Sequence, residues 1–460
     1  MSVAQSIRSK IHKFRGPDVV ARMVRGSSSA LAINGIGQAT SAVMQIVLAR
    51  LMPKEMYGTY TLVMAWVLTL AVPVGLGLPL SALRLLPEYA VKEDWGHYNG
   101  AVRCFQWLTL GIGIVLAAVG SVVLLVLDHQ RRLVAHHGIA YTAPFIVGLW
   151  MVPLVAQSNL ISQISRAMRR VVLAYGPPKI LQPLAVIVAA MALRYTAKHV
   201  SVEPVMMISA ATMLMAIVTQ TIIYRRDLAR TSMGAVPEYD TANWLKFTMP
   251  MLIMSGCQII FVSVGTLVVG AMMHARDVAI FGVANRTVLI INFVLVATNV
   301  ALGPEASALY ASGDINGLQR AVTTTVKMSF YPAALGTAVL LLLGRPILLL
   351  YGHGYTEAYP TMVALSLGCL IATAAGPVLL LMNMTGFQII ALRVCTIASV
   401  GYVVACAIGI KLDGYLGAGI ACALVQSGWN IWLCVLAKKH IGVDASILRF
   451  GRARKQANAG

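Results

Sequence analysis

Apolar residues run along this chain in stretches of roughly 20, the length that spans a hydrocarbon core, separated by short polar segments. Such windows fall at 27–49, 59–83, 101–127, 140–163, 176–194, 203–223, 245–272, 278–303, 322–344, 361–383, 387–410 and 416–437. The pattern predicts an all-α membrane protein of about 12 transmembrane helices. Pro177 and Pro178 interrupt the start of the fifth window. No connection between windows is long enough for a soluble domain of the usual 50 residues or more.

An internal repeat organises the windows. Pro87-Glu88 is followed after ten residues by Asn99-Gly100 and then Arg103, and Pro304-Glu305 is followed at the same spacing by Asn316-Gly317 and Arg320. Each copy sits between the second and third window of a group of six. The turns Met56-Tyr57-Gly58 and Ile280-Phe281-Gly282 correspond more loosely. Two homologous six-helix lobes are expected, related by an axis along the membrane normal. The expected boundaries are a basic cytoplasmic segment 1–26, a lobe 27–223, a linker 224–244, a lobe 245–437 and a basic cytoplasmic tail 438–460.

Charge fixes the expected orientation. Arg8, Lys10, Lys13, Arg15, Arg22 and Arg25 precede the first window. Arg166, Arg169 and Arg170, then Arg225, Arg226 and Arg230, then Lys438 and Lys439 fall on the same side of an alternating topology. The positive-inside rule puts that side, with both termini, in the cytoplasm. Residues 1–25 lack the short apolar core of a cleavable signal, so the first window is expected to act as its own insertion signal.

Composition agrees with this class and excludes others. Of 460 residues, 58% are hydrophobic and 11% charged, and the mean hydropathy is +0.77, too apolar for a water-soluble domain. The net charge of +20 is scattered through the connections rather than gathered on one solvated face, which argues against nucleic acid as a partner. The seven cysteines lie in or beside apolar windows without CxxC spacing, so neither metal nor any other cofactor is expected. No paired carboxylates, nucleophile motif or phosphate loop points to bond-making chemistry, and an enzyme is not expected.

Polar residues inside spans are costly and normally face a bundle interior or a water-filled cavity. Asn34, Gln38, Ser41 and Gln45 form one stripe of the first span, and Asn285, Asn292 and Asn299 recur every seven residues in the eighth, beside Arg286. The 16 acidic residues lie in connections or at span ends. Bases do not: Arg286 is inside the eighth span, Lys327 in the first turns of the ninth, Arg393 in the eleventh, and Arg103 and Lys179 at the starts of the third and fifth. A guanidinium without an acidic partner is expensive in the membrane, so a cationic cavity makes sense when an anion such as phosphate or pyrophosphate completes it. Interhelical hydrogen bonding is the alternative for each amide, and snorkelling to headgroups is the alternative for Lys327, Arg103 and Lys179. The substrate-binding candidates are therefore Arg286, Lys327, Arg393, Arg103, Lys179, Asn34, Gln38, Gln45, Asn285 and Asn292. Bending points are expected at Pro73 to Pro79, at Pro332 and at Gly376-Pro377.

Several stretches resemble the polysaccharide transporter family of the multidrug/oligosaccharidyl-lipid/polysaccharide exporter superfamily. They are LARLMPKEMYGTYTLVMAW (48–66), GLGLPLSALRLLPEYAVKED (75–94), GPEASALYASGDINGLQRAV (303–322), RPILLLYGHGYTEAYPTMVALSLG (345–368), LLMNMTGFQIIALRV (380–394) and LDGYLGAGIACALVQSGWNIW (412–432). The resemblance implies two six-helix lobes around a central cavity that opens alternately to either side of the bacterial inner membrane. It also implies undecaprenyl-pyrophosphate-linked oligosaccharide as the substrate, with membrane lipids, a polysaccharide polymerase and assembly proteins as further partners. ANRTVLIINF is similar to the corresponding region of peptidoglycan-precursor flippases, which carry a cavity arginine where Arg286 stands and a basic residue where Lys327 stands. Those relatives typically have 14 helices, which argues against the same substrate here. The reading is a lipid-linked oligosaccharide flippase for surface polysaccharide assembly. Its rivals are a cation-coupled multidrug exporter of the same superfamily and a membrane-embedded glycosyltransferase or polymerase.

Overall fold

The computed structural model describes residues 17–129, 142–168, 170–196, 201–231 and 235–447. Among them the regular elements are helices. In the first half these are α1 (Pro17–Leu51), α2 (Lys54–Gly75), α3 (Leu78–Val91), α4 (Trp95–His129), α5 (Thr142–Ala167), α6 (Val171–Gly176), α7 (Gln182–Thr196) and α8 (Val202–Thr231). The second half contains α9 (Thr241–Met272), α10 (Ala275–Ala311), α11 (Ile315–Leu349), α12 (Tyr359–Ala375), α13 (Val378–Met384) and α14 (Gln388–Ile441). Non-helical backbone at Asp413 and Gly414 divides α14 in two. Among the described residues, nine helical stretches are long and apolar enough to cross a membrane, and the divided α14 counts once among them.

Local chemistry explains the breaks. Pro73 and Pro79 flank Leu76 and Gly77, both with positive φ, so the second window separates into α2 and α3. Gly77 also lies against the backbone of Thr248 and Leu252 on α9, where a side chain would not fit. Gly376 (φ 85) and Pro377 divide the tenth window into α12 and α13, as expected. Pro177 and Pro178 open a π-helical turn, Pro177–Leu181, between α6 and α7. The bend expected at Pro332 is absent as a break, because α11 runs through both Pro332 and Pro346.

At the expected linker and tails the helices run beyond the hydropathy windows. Helix α8 continues through Thr231 and α9 resumes at Thr241, while α14 continues to Ile441 and α1 starts at Pro17. Polar ends rich in Arg and Lys are good helix formers in water, so the helices outrun the hydrocarbon windows.

The internal repeat needs a shift in register. Helix, two turn residues and an aspartate precede the next helix at 91–95 and again at 311–315. Asp94 accepts from the His97 amide, and Asp314 from the Gly317 amide at 2.7 Å, so each side chain caps its following helix. In that frame the Pro-Glu and Asn-Gly letters are offset by about one helical turn between the copies. The local fold repeats more faithfully than the motif that suggested it.

Two faces follow from the contacts. The turns at 52–53, 273–274, 350–358 and 413–414 come together at one face, where Arg50 reaches the Leu350 carbonyl, Gly354 lies against Lys54, and Gly414 lies near Met273. This is the far face of the bundle. The turns at 92–94, 235–240, 312–314 and 442–446 lie at the opposite helix ends, the termini face. One hydrophobic core crosses between the halves, joining Leu48, Tyr57, Tyr60 and Val63 to Ala279, Ile280, Val283, Tyr351 and Tyr355. Apolar side chains also point outward, among them Val115, Val119 and Val122 on α4 and Val400 and Val404 on α14. That is the inside-out surface a lipid solvent requires.

Candidate functional site

Helix α2 is the centre of the interface between the halves, packing on both α9 and α10. Its start sits against the start of α10, with Gly58 so close to the Ala275 carbonyl that a Cβ would overlap it. This approach brings Tyr57 and Tyr60 to α10 one and two turns from the far face. Tyr57 donates to Gln45 Oε1 at 3.0 Å, tying α2 to α1. Its ring meets Tyr355 edge-on at 6.1 Å, and Tyr355 meets Tyr351 at 6.4 Å. All four tyrosines, at 57, 60, 351 and 355, are at most 3% exposed. Together they form a buried aromatic layer beneath the far face.

Arg286 lies within electrostatic reach of this layer. It lies on α10, partly exposed, and is electrostatically coupled to Tyr57, Tyr60 and Tyr351. Among the described residues it makes no ion pair. The arrangement is a guanidinium between the two halves, within electrostatic reach of tyrosines from both. Such a group can receive an anionic oxygen in bidentate fashion.

Outside this layer, ion pairs hold the far face. Arg50 donates from Nε to the Leu350 carbonyl at 2.6 Å. Glu357 accepts from Arg276 at 3.0 Å and lies 3.7 Å from Lys54 Nζ. Arg50 and Lys54 belong to the first half and Leu350 and Glu357 to the second, so these contacts bridge the halves.

The remaining candidates separate. Asn285 is partly exposed beside Arg286. Asn292 falls on α10, but its side chain lies outside the described residues, as does that of Asn299. Gln45 is buried in its bond to Tyr57, whereas Gln38 is exposed. Lys179, in the π turn, donates to Asn34 Oδ1 at 2.6 Å and stands 5.0 Å over the Tyr175 ring. Asn34 and Lys179 are thus each other's partners within the first half. Lys327 is partly buried, twelve residues into α11 from the termini face. Arg286 is eleven residues into α10 from the far face, so the two bases are separated by about 18 Å along the helix axes.

Two candidates do not belong to this site. Arg393 is exposed and shares a stripe of α14 with exposed Ile389, Ile397, Val400 and Val404, the outward apolar face. It is five residues from the helix start, within snorkelling reach of headgroups. Arg103 lines a separate cleft at the termini face with Asn99 and Arg225. Helix number alone could not tell an inward base from an outward one.

The tyrosine layer was missed by sequence reasoning, which weighed amides and charges. A signal existed: Tyr57 and Tyr60, three residues apart at a helix start, and Tyr351 and Tyr355 beside the connection that faces it.

The fold with which this geometry agrees is that of the multidrug/oligosaccharidyl-lipid/polysaccharide transporters. A structure described as the inward-facing conformation of a multidrug resistance MATE family transporter of the MOP superfamily superposes with a TM-score of 0.71 at 15% identity, covering 90% of this chain and 98% of that one. An outward-facing MATE transporter of the same superfamily gives 0.65 at 14% identity, covering 91% and 95%. A MOP superfamily transporter from Pyrococcus furiosus, described as having a binding pocket of reverse polarity that suggests a different function, gives 0.58 at 12% identity, covering 91% and 95%. No curated protein sequence matches. Residues 23–309 match the family of polysaccharide biosynthesis proteins, and the chain belongs to that family. It is a multi-pass membrane protein with a transporter fold.

Proposed function

We propose that this protein moves a polyprenyl-pyrophosphate-linked oligosaccharide across a bacterial inner membrane by alternating access, with both termini in the cytoplasm. The observation that carries this reading is Arg286, a guanidinium held between the halves without an ion pair among the described residues, in a polysaccharide biosynthesis family member. A pyrophosphate would supply the missing anion. In this orientation the far face is periplasmic and sealed by the tyrosine layer and the Arg50 and Lys54 contacts. Substrate would then enter from the cytoplasmic side, and the seal would part to release it.

Multidrug export is the second reading, favoured by the description of the MATE neighbours as multidrug resistance transporters. Coupling to cations in such exporters calls for carboxylates inside the membrane. Here every acidic residue lies within about two turns of a helix end or in a connection, Glu305 being the deepest. This supports the glycolipid reading over the exporter.

The test compares wild type, Arg286→Lys and Arg286→Ala at matched membrane abundance in a strain lacking the native protein. Surface polysaccharide and the lipid-linked intermediate left inside are both measured. A charge-assisted contact is worth about 1.5–3 kcal/mol, so Arg286→Ala should weaken substrate binding roughly ten- to a hundredfold. Arg286→Lys, which keeps charge but not the fork, should be intermediate. Wild-type export with no accumulated intermediate in Arg286→Ala would overturn the cationic mechanism. Drug extrusion without any effect on glycolipid would favour the exporter.

A further inference from the structure

A second cationic site lies at the termini face, away from Arg286. The first turns of α4, the last turns of α8 and the strap 235–237 enclose a cleft of about 620 Å³. Arg103 and Arg225 both line it, and neither forms an ion pair among the described residues. The carboxylates nearest in the chain are engaged elsewhere: Asp227 by Arg170 at 3.1 Å, and Glu238 by His97 at 3.5 Å. Tyr224 lines the cleft and is 1% exposed, its hydroxyl turned toward Arg225 and Gln106. Gln106 and Asn99 complete the polar wall. Two guanidinia, a phenol and amides around one volume make a donor-rich basin suited to an oxyanion.

The cleft also has an apolar exit. Trp107 on its rim is 70% exposed, the disposition of an aromatic side chain at a membrane interface. From Trp107 the exposed face of α4 continues through Ile114, Val115, Val119 and Val122. A headgroup in the basin would have its chains delivered onto that stripe. The volume is far larger than one inorganic phosphate needs and lies within the range of small-molecule pockets.

We infer that this cleft binds the phosphate head of an anionic membrane lipid, with the acyl chains lying along α4. The strap makes the site consequential. Asn99 donates to the Ala235 carbonyl at 3.1 Å, and the Glu238 amide donates to the Gly96 carbonyl at 3.0 Å. Gly100 touches the Glu238 carbonyl so closely that no Cβ could stand there. The strap leads directly into α9, whose Trp244 donates to the Tyr89 hydroxyl at 2.9 Å. A bound headgroup would therefore contact the segment that joins the two halves and steady it against the first half. The inference does not depend on what the protein transports.

The experiment is a thermal-shift titration of the purified full chain in a neutral detergent with phosphatidylglycerol, phosphatidylcholine or inorganic phosphate. Native mass spectrometry counts the retained lipids. Phosphatidylglycerol should raise the Tm and remain bound, and phosphatidylcholine should do neither. R103A/R225A should weaken phosphatidylglycerol binding about ten- to a hundredfold, and R103K/R225K should fall between. Lipid-free Tm and elution volume report whether each variant is folded; the Lys pair supplies the comparison if the Ala pair is not. An equal shift with inorganic phosphate would overturn the lipid assignment in favour of a free anion. Equal retention of phosphatidylglycerol by wild type and the Lys pair, or by a folded Ala pair, would overturn the site.

Discussion

Arg50 at the end of α1 donates to the carbonyl of Leu350 at 2.6 Å, joining residues 300 positions apart across the two halves. The acceptor is backbone, so the bond depends on the path of the connection rather than on a particular partner side chain. Nearby, Lys54 and Glu357 are 3.7 Å apart and partly exposed. An exposed pair of that kind contributes only about 0.2–1 kcal/mol, whereas a hydrogen bond from a charged donor contributes about 1.5–3 kcal/mol. Arg50 is the stronger fastener of this face.

The two fasteners can be ranked by measurement. Arg50→Ala should speed hydrogen exchange in residues 54–61 and 350–358 by roughly ten- to a hundredfold, the kinetic equivalent of its lost contact. Glu357→Gln should speed it by less than about fivefold. Equal protection in wild type and Arg50→Ala would show that the tyrosine layer alone holds the face.

The Tyr57 and Gln45 pair is buried, so its loss should register as stability. Tyr57→Phe strands the Gln45 oxygen without its donor, at a cost of about 1–3 kcal/mol. Replacing both, as Tyr57→Phe with Gln45→Leu, leaves no stranded group and should recover most of that loss. Thermal melts of the three proteins in one detergent check the order: the double variant should melt above Tyr57→Phe. Additive losses would mean that the pair is not coupled.

Element positions were legible because a hydrocarbon solvent leaves a simple signature. Each of the twelve windows falls on helix, apart from the breaks at Leu76-Gly77 and Gly376-Pro377 and the start of the fourth, which lies outside the described residues. Side-chain direction was much less legible. Arg286 and Arg393 are both arginines in apolar windows, yet one stands between the halves and the other on the outer stripe. A 20-residue apolar window averages over all faces of a helix, so it cannot distinguish them. The Asn34 and Lys179 bond was illegible for another reason: its members are 145 residues apart, and only tertiary packing joins them.

Asp444 offers a pH-dependent prediction outside the spanning segments. Its backbone exchanges two hydrogen bonds with the Gln319 side chain, each 2.8 Å, which fasten the end of α14 to the start of α11. Burial by itself would raise the carboxyl, but hydrogen bonds from Ser446 and the Lys438 ammonium at 3.0 Å hold it below the ordinary aspartate value. A lowered folded pKa contributes stability that is present above the unfolded value near 3.9 and is lost as pH falls through the folded one. The exchange protection of residues 442–446, taken relative to the intrinsic rate at each pH, should therefore be high at neutral pH and fall below about pH 4. Asp444→Asn should remove that acid step and start from weaker protection. An unchanged acid step in Asp444→Asn would assign it to another group.

Gly58 is the position where a single methyl group should decide between conformations. Its Cα faces the Ala275 carbonyl, and an added Cβ would overlap that oxygen and its carbon. The obstructing atoms are backbone at the first turn of α10, so they cannot step aside by a rotamer change. Overpacking of this kind costs about 1–3 kcal/mol, and the whole cost falls on arrangements in which α2 and α10 meet at the far face. Gly58→Ala should therefore populate a form with that face parted while each half stays folded. Cysteines at Lys54 and Gly354, whose positions adjoin across the interface, report the change through a short bis-maleimide. Cross-linking should be efficient with Gly58 present and should fall about five- to a hundredfold with Gly58→Ala, following the same free-energy scale. Arg50→Ala added to Gly58→Ala should lower it further, because both act on one closure. If cross-linking persists at the Gly58 level and the protein melts at the same temperature, the two helices do not need this contact, and the proposed gate lies elsewhere.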